Sequence, residues 1–122
     1  MSAPPQLNRL IIYTKRIDEM VRFYAEHFGY EADNDPDDRI TELRPAHGGA
    51  ILMLHPMGEG RKQGQVLVKL TFDVADVEGF CAQAKEKGLV LGSIHKADGY
   101  VFANGKDPSG NAISISSRAF RI

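Results

Sequence analysis

The chain carries the same pattern of apolar and polar positions twice. An apolar run over 8–14 leads into a helix-like stretch that ends at Gly29, and a second run over 68–74 leads into a stretch that ends at Gly88. Residues of similar chemistry recur at a constant offset, as at Arg9 and Lys69. An internal repeat of this kind indicates two copies of one structural unit.

The first copy begins with a strand, because residues 7–14 are rich in β-branched and aromatic types. Apolar residues then follow at helical spacing, and Gly29 is well suited to end that helix. The helical stripe consists of Ile17, Met20, Val21, Tyr24 and Phe28. Three further strands are predicted at 30–32, 39–44 and 50–55.

The second copy repeats this order. Its first strand is predicted over 66–74, and Asp76 is a plausible N-cap for the following helix. Asp98 and Gly99 between two extended runs predict a tight hairpin. The later strands are expected at 89–91, 93–97, 100–103 and 112–117. Residues 56–65, rich in glycine and without periodicity, are predicted to link the two copies.

Composition narrows the class of protein. A chain of 122 residues has room for one domain or two small fused modules. Its net charge of -1 gives no support for a nucleic-acid or acidic-membrane partner, and no apolar run reaches the roughly 18 residues of a membrane span. The amino-terminal residues do not have the pattern of a signal peptide, and the single Cys81 suits a reducing compartment. A cytoplasmic location is therefore expected.

The ordered set of motifs resembles the vicinal-oxygen-chelate superfamily, also called the glyoxalase / bleomycin-resistance / extradiol-dioxygenase superfamily. The motifs are Phe23-Tyr24 ahead of Phe28-Gly29-Tyr30-Glu31, then 72–77, and the turn 107–111 before the last strand. The resemblance implies an α+β fold of two βαβββ modules with pseudo-two-fold symmetry, whose sheets curl into a cup with the helices outside. It implies one domain over 7–118, with module one at 7–55, a linker at 56–65 and module two at 66–118. Homodimers are common in this superfamily, and the sequence leaves open whether modules pair within or across chains.

Strand alternation separates two faces in each sheet. One face is uniformly apolar and is expected to meet a helix, and the other is mixed and suits a cleft. The resemblance places the metal ligands of the family's enzymes on the mixed face, at Arg9, Met53, Lys69 and Ser114. None of these side chains is a good ligand for a divalent cation, so no metal cofactor is expected.

Nine side chains are expected to contact a ligand: Arg9, Tyr13, Met53, Lys69, Thr71, Asp73, Tyr100, Phe102 and Ser114. Two interpretations of Arg9 and Lys69 stay open. They bind a small anion, or they are neutralised within the protein by carboxylates such as Asp73 and Glu42. Cys81 is expected to be a small buried apolar residue. The four histidines match no metal-ligand spacing and are expected on loops or the surface.

The preferred hypothesis is a metal-free protein that binds a small anionic or neutral molecule. One alternative is a metal-dependent lyase or isomerase resembling glyoxalase I (lactoylglutathione lyase), or a related dioxygenase. Its ligands would come from unusual positions such as His47, His55, His95, Glu42 or Asp73. The other alternative is a dimeric interaction module without a ligand. The sequence identifies neither the ligand nor a catalytic residue, and it leaves open whether the protein is an enzyme.

Overall fold

The order strand, helix and three strands occurs twice along the chain. The computed structural model describes residues 8–65 and 68–121, so the strand predictions for 7 and 66–67 lie outside the described residues. It divides into two compact units, Met1–Gln63 and Gly64–Ile122, each described by itself below. The boundary falls inside the stretch predicted as a link. The fold is α+β, with two βαβββ modules as expected.

The first module consists of β1 (Arg9–Thr14), α1 (Ile17–Phe28), β2 (Tyr30–Asp33), β3 (Thr41–Pro45) and β4 (Ile51–Pro56). Its sheet has the order β1-β4-β3-β2, in which β1 and β4 run parallel and the other neighbours antiparallel. The second module consists of β5 (Lys69–Asp73), α2 (Val77–Glu86), β6 (His95–Lys96), β7 (Val101–Lys106) and β8 (Ala112–Ser116). Its sheet repeats the topology as β5-β8-β7-β6, with β5 and β8 parallel.

Helix α1 covers one face of the first sheet. Its apolar stripe buries Met20 and Tyr24 completely, together with Leu43, Leu52 and Leu54 of the sheet. The helix ends at Gly29, whose φ of 68° lies in the left-handed region and whose N–H donates to the Ala25 carbonyl. This left-handed position is where glycine avoids the steric cost of a side chain, so the predicted stop is confirmed.

The start of α2 and the hairpin of the second module also agree with the sequence. Asp76 caps α2, since its Oδ1 accepts a hydrogen bond of 3.0 Å from the Gly79 N–H. The hairpin closes where Ala97 N–H donates to the Tyr100 carbonyl at 2.9 Å, and Gly99 has a φ of 82°. The core of this module is formed by Val77, Ala84, Leu89, Ala103, Ile113 and Ile115.

The strand predicted at 89–91 is wrong. Leu89 is buried, but its N–H donates to the Ala84 carbonyl at the end of α2. Gly92 N–H donates to the Asn104 carbonyl, and the stretch forms no regular strand. A short apolar run does not identify a strand partner, and in this run Leu89 is buried while Val90 is 72% exposed. The strand predicted at 93–97 is reduced to His95–Lys96, and β3 begins at Thr41, two residues later than expected.

Cys81 is only partly buried on α2, so the prediction of a buried residue is too strong. Burial still raises the pKa of the Cys81 thiol above its usual range. Among the described residues, no helix is long and apolar enough to span a membrane.

Tyr30 connects the end of α1 to the sheet and generates a prediction on stability. The side chain is buried, packs edge-to-face on Tyr24 and donates from its hydroxyl to the Ala50 carbonyl at 2.9 Å. Burial raises the pKa of the Tyr30 phenol, so the folded state holds this proton more tightly than the unfolded chain does. The resulting stabilisation is complete below about pH 10 and is lost as the pH rises through the folded-state pKa.

We therefore expect Tyr30→Phe to cost about 0.5–1.5 kcal/mol of unfolding free energy at pH 7, through the lost hydrogen bond. It should also reduce the loss of stability as the pH rises above about 10. Urea unfolding followed by circular dichroism across this range measures both effects. Tyr13→Phe is the matched control, since it removes an exposed hydroxyl. An unchanged alkaline loss in Tyr30→Phe would assign that loss to another group.

Candidate functional site

The face of each sheet that lies opposite its helix is called here the helix-free face. In the first module, Ile11 lies beside Met53 on the parallel pair, and Glu42 lies opposite Met53 across β3 and β4. Ile11 and Tyr13 are 52% and 48% exposed, unusually high for large apolar side chains in a strand. Arg9, Tyr13 and Met53, three of the predicted ligand contacts, therefore share this face.

Arg9 is neutralised within its own sheet. Its Nη1 donates to Glu42 Oε1, which also accepts from Arg44 Nη2 at 3.2 Å. Arg44 Nε lies 4.0 Å from Asp33 Oδ2, so two arginines and two carboxylates form one network. Such partly exposed pairs contribute modestly to stability, but they occupy the guanidinium of Arg9. Of the two interpretations of Arg9, the structure therefore shows neutralisation within the protein, by Glu42.

Tyr13 and His55 form an aromatic pair on the same face. Their ring centroids lie 4.9 Å apart, and the planes are tilted by 44°. His55 Nδ1 lies 2.7 Å from the Pro56 carbonyl oxygen. A carbonyl can only accept, so Nδ1 carries the hydrogen, and in the neutral ring Nε2 is left as an acceptor. His55 lies in β4, as the predicted strand over 50–55 placed it, and its side chain is half-buried, so a fully surface position is not observed.

Lys69 occupies the position in β5 that corresponds to Arg9 in β1, but its surroundings differ. Its Nζ donates to Asn104 Oδ1 at 3.2 Å and lies 6.0 Å from the centroid of the Phe102 ring. Within residues 8–65 and 68–121, no carboxylate lies within 4 Å of Lys69, and Asp73 is not its partner. His95 packs against the same Phe102 ring, with 5.1 Å between the two ring centroids.

Hydroxyl and carboxylate groups follow β5 and β8 on the second helix-free face. Thr71 lies beside Ser114, and Asp73 lies beside Ser116. Ser114 and Ser116 are each 5% exposed, and Ser114 Oγ donates to the Ala103 carbonyl at 3.4 Å. Ser116 Oγ accepts from the backbone N–H of Arg118 at 3.1 Å. The floor of this sheet is therefore polar, unlike that of the first.

Tyr100 and Phe102 complete the predicted set in the second module. Their ring centroids are 6.2 Å apart. The Tyr100 hydroxyl accepts from Arg118 Nη1 at 3.0 Å, and Arg118 Cζ lies 5.3 Å from the Tyr100 ring centroid. A guanidinium packed on an aromatic face gains cation–π attraction, which holds both side chains in place.

Sequence reasoning missed three residues of this face: Asn104, Arg118 and Arg121. Asn104 carried a usable signal, because it follows Phe102 by two positions and therefore shares its face of β7. The two arginines carried none. They belong to the short 3₁₀ helix Arg118–Phe120 and the residue after it, whose position over the sheet is not encoded in strand alternation.

The four positions that the family resemblance assigns to metal ligands divide between the units. Arg9 and Met53 lie in the first sheet, and Lys69 and Ser114 lie in the second. In the part of the chain that the structure describes, no group of three or more His, Cys, Asp or Glu side chains could hold a metal ion.

Comparison with known families agrees with this architecture. Residues 6–115 match the sequence model of the Glyoxalase/Bleomycin resistance protein/Dioxygenase superfamily. The chain therefore belongs to that superfamily. No curated protein sequence matches it.

Solved structures with the same fold come from proteins of several kinds. TnmS3, an antibiotic binding protein from Streptomyces sp. CB03234, shares 19% identity with a TM-score of 0.75, covering 94% of this chain and 97% of its own. Lactoylglutathione lyase from Agrobacterium tumefaciens shares 17% identity with a TM-score of 0.71, covering 94% and 95%. Oxidase ChaP-H2 shares 21% identity with a TM-score of 0.74, covering 95% of each chain. At these identities the likeness establishes the fold and leaves the activity open.

The network around Arg9 generates a prediction. Glu42→Gln leaves Arg9 and Arg44 close together without the carboxylate between them, so we expect it to cost about 1 kcal/mol of unfolding free energy at low salt. The cost should shrink in 1 M NaCl, because salt screens the remaining repulsion. Urea unfolding at both salt concentrations measures it. Glu26→Gln on α1 is the control, and an equal cost for Glu42→Gln at both concentrations would contradict the electrostatic explanation.

Proposed function

We propose that this protein is a metal-free small-molecule binding protein of its superfamily, with a ligand held against a helix-free face of its sheets. One observation carries the proposal. The positions that the family resemblance assigns to metal ligands hold Arg9, Met53, Lys69 and Ser114, each with a chemistry or a contact that is unsuited to a divalent cation.

The contacts of these side chains support that reasoning. Arg9 carries a permanent positive charge and is paired with Glu42, and Lys69 is a hydrogen-bond donor to Asn104. Met53 offers a weak thioether, and Ser114 is buried with its hydroxyl donated to a backbone carbonyl. Divalent metals of enzymes prefer imidazole, carboxylate or thiolate groups, and a cationic side chain at a ligand position repels a further cation.

The first helix-free face favours apolar or flat parts of a ligand. Ile11 and Tyr13 are half exposed there, and Tyr13 and His55 present adjacent rings. Binding sites for small molecules combine apolar and aromatic walls with a few polar groups that fix orientation. Because Arg9 is already neutralised by Glu42, this face offers little net charge to an anionic group.

The second helix-free face favours polar or anionic groups of a ligand. Lys69 has an amide partner and an aromatic neighbour, but no carboxylate within 4 Å among the described residues. Its positive charge therefore remains available to an anionic or carbonyl group of a ligand. A ligand on the first face is thus expected to be neutral, and a ligand on the second face is expected to be anionic or strongly polar.

A second candidate, a glyoxalase-like lyase, draws support from one feature. His55 Nε2 is left as an acceptor on the first helix-free face, as a general base or a ligand would require. Glu42, another group such an enzyme could use, is occupied by two arginines. We therefore prefer the binding protein. We also propose that it is a cytoplasmic homodimer, since the single Cys81 suits a reducing compartment and homodimers are common in this superfamily.

Metal analysis separates the two candidates. After growth with added Ni, Zn, Fe and Mn, we expect the purified protein to contain far less than one metal ion per chain by plasma mass spectrometry. A known glyoxalase I purified in parallel is the positive control. Stoichiometric metal that survives dialysis would overturn the metal-free proposal and favour the lyase.

A fluorescent probe tests the binding face. 1-Anilinonaphthalene-8-sulfonate is flat and aromatic and carries one anionic group, so it matches the expected ligand class. Tyr13→Ala should weaken its binding about two- to tenfold, because one aromatic contact is lost. Val90→Ala is the matched control, since Val90 is 72% exposed and lies on neither sheet. Equal affinity in wild type and Tyr13→Ala would exclude this face as the site.

A further inference from the structure

The second unit contains a cleft of about 450 Å³ beside the predicted ligand contacts. One wall is formed by the paired strands β5 and β8, which contribute Thr71, Asp73 and Ser116. The remaining wall is the segment after β8, which contributes Arg118, Ala119 and Arg121. Six residues of a short cleft thus include two cations, one carboxylate and two hydroxyls.

The two arginines have unused hydrogen-bonding capacity. Arg118 donates one N–H to the Tyr100 hydroxyl, which positions its guanidinium without neutralising it. The Arg121 side chain makes no hydrogen bond or ion pair with any residue in 8–65 or 68–121. A guanidinium offers five N–H donors in a planar fork that matches carboxylate and phosphate oxygens.

The hydroxyl groups of the cleft are also available as donors. Ser116 Oγ accepts from the Arg118 backbone N–H, so its own hydrogen is free to point elsewhere. Ser116 is 5% exposed, which places this hydroxyl at the bottom of the cleft. The Thr71 hydroxyl lies on the same wall and has no partner among the described residues.

Asp73 adds a negative charge to the cleft that the two arginines line. Its carboxylate lines the same space, yet it forms no ion pair within 4 Å with Arg118, Arg121 or any other described cation. Exposed charges of opposite sign that line one cleft without pairing remain available to a molecule that enters it. A bare anion would satisfy the arginines and be repelled by Asp73. A molecule that carries an anionic group and a separate donor would satisfy both.

We propose that this cleft binds the oxyanion group of a small ligand, with Arg118 and Arg121 holding a carboxylate or phosphate and Thr71 and Ser116 donating to it. Asp73 accepts from an ammonium or hydroxyl group of the same ligand. The inference rests on the proposed function, because Thr71 and Asp73 belong to the face proposed above for ligand binding. It adds to the proposed function a class of ligand, namely small molecules that carry both an oxyanion group and an ammonium or hydroxyl group. It also adds an anion-binding subsite that the alternation of residues along the strands did not predict.

The test is an amide-resolved NMR titration of the full chain at low salt and pH 7. The probes are inorganic phosphate, phosphoethanolamine and β-alanine. We expect shifts centred on Thr71, Ser116 and Arg121, with phosphoethanolamine or β-alanine binding more tightly than inorganic phosphate. The more tightly bound of the two amine-bearing probes identifies the anion as phosphate or carboxylate.

Three substitutions make the test specific. Arg121→Gln should weaken the tighter amine-bearing probe about ten- to hundredfold, through loss of a charge-assisted contact. Asp73→Asn should weaken the same probe and strengthen inorganic phosphate. Arg22→Gln removes an exposed arginine on α1 and should change neither affinity. Both Arg121 and Asp73 are exposed, so these variants are expected to fold normally.

Two results would overturn the inference. They are the absence of localised shifts with all three probes, and equal affinities in wild type and Arg121→Gln. Either result would leave the proposed function standing if 1-anilinonaphthalene-8-sulfonate still bound in a Tyr13-dependent way. Loss of dye binding and the presence of stoichiometric metal would instead reject the proposed function itself.

Discussion

The parallel pairing of the first and last strand of each module is the constraint on which the rest of the structure depends. In β1 and β4, and again in β5 and β8, this register places alternate residues of both strands on a common face. One face is buried by the crossover helix, which leaves the other face to its own side chains. A slip of one residue would turn Arg9 toward the helix and Leu10 away from it, which burial of the apolar face strongly opposes.

The two modules share this scaffold and differ in what they display on it. Arg9 is paired with a carboxylate in the first sheet, whereas Lys69 is held by an amide and an aromatic ring in the second. The first helix-free face is therefore apolar with its charges neutralised, and the second is polar with cations still available. The two modules therefore present surfaces of different chemistry on one duplicated scaffold.

Much of the architecture could be predicted from the sequence because its signals are local. The stripe of α1 and its stop at Gly29, the cap at Asp76 and the hairpin at Gly99 each depend on residues a few positions apart. The strand predicted at 89–91 failed because a run of three apolar residues does not specify a strand partner, and only Leu89 of the three is buried. The position of Arg118 and Arg121 in the cleft of the second module was not predicted, because they reach the second sheet from a segment after its last strand.

The sequence by itself determined the repeat, the α+β class, the superfamily resemblance and the two faces of each sheet, since periodicity and turn chemistry encode these directly. Only the tertiary structure decided what each charged side chain does. Arg9 and Glu42 lie 33 positions apart, and Lys69 and Asn104 lie 35 apart. No local pattern states whether a cation will meet a carboxylate, an amide or a ligand. That outcome depends on which side chains the folded sheet brings within hydrogen-bonding distance.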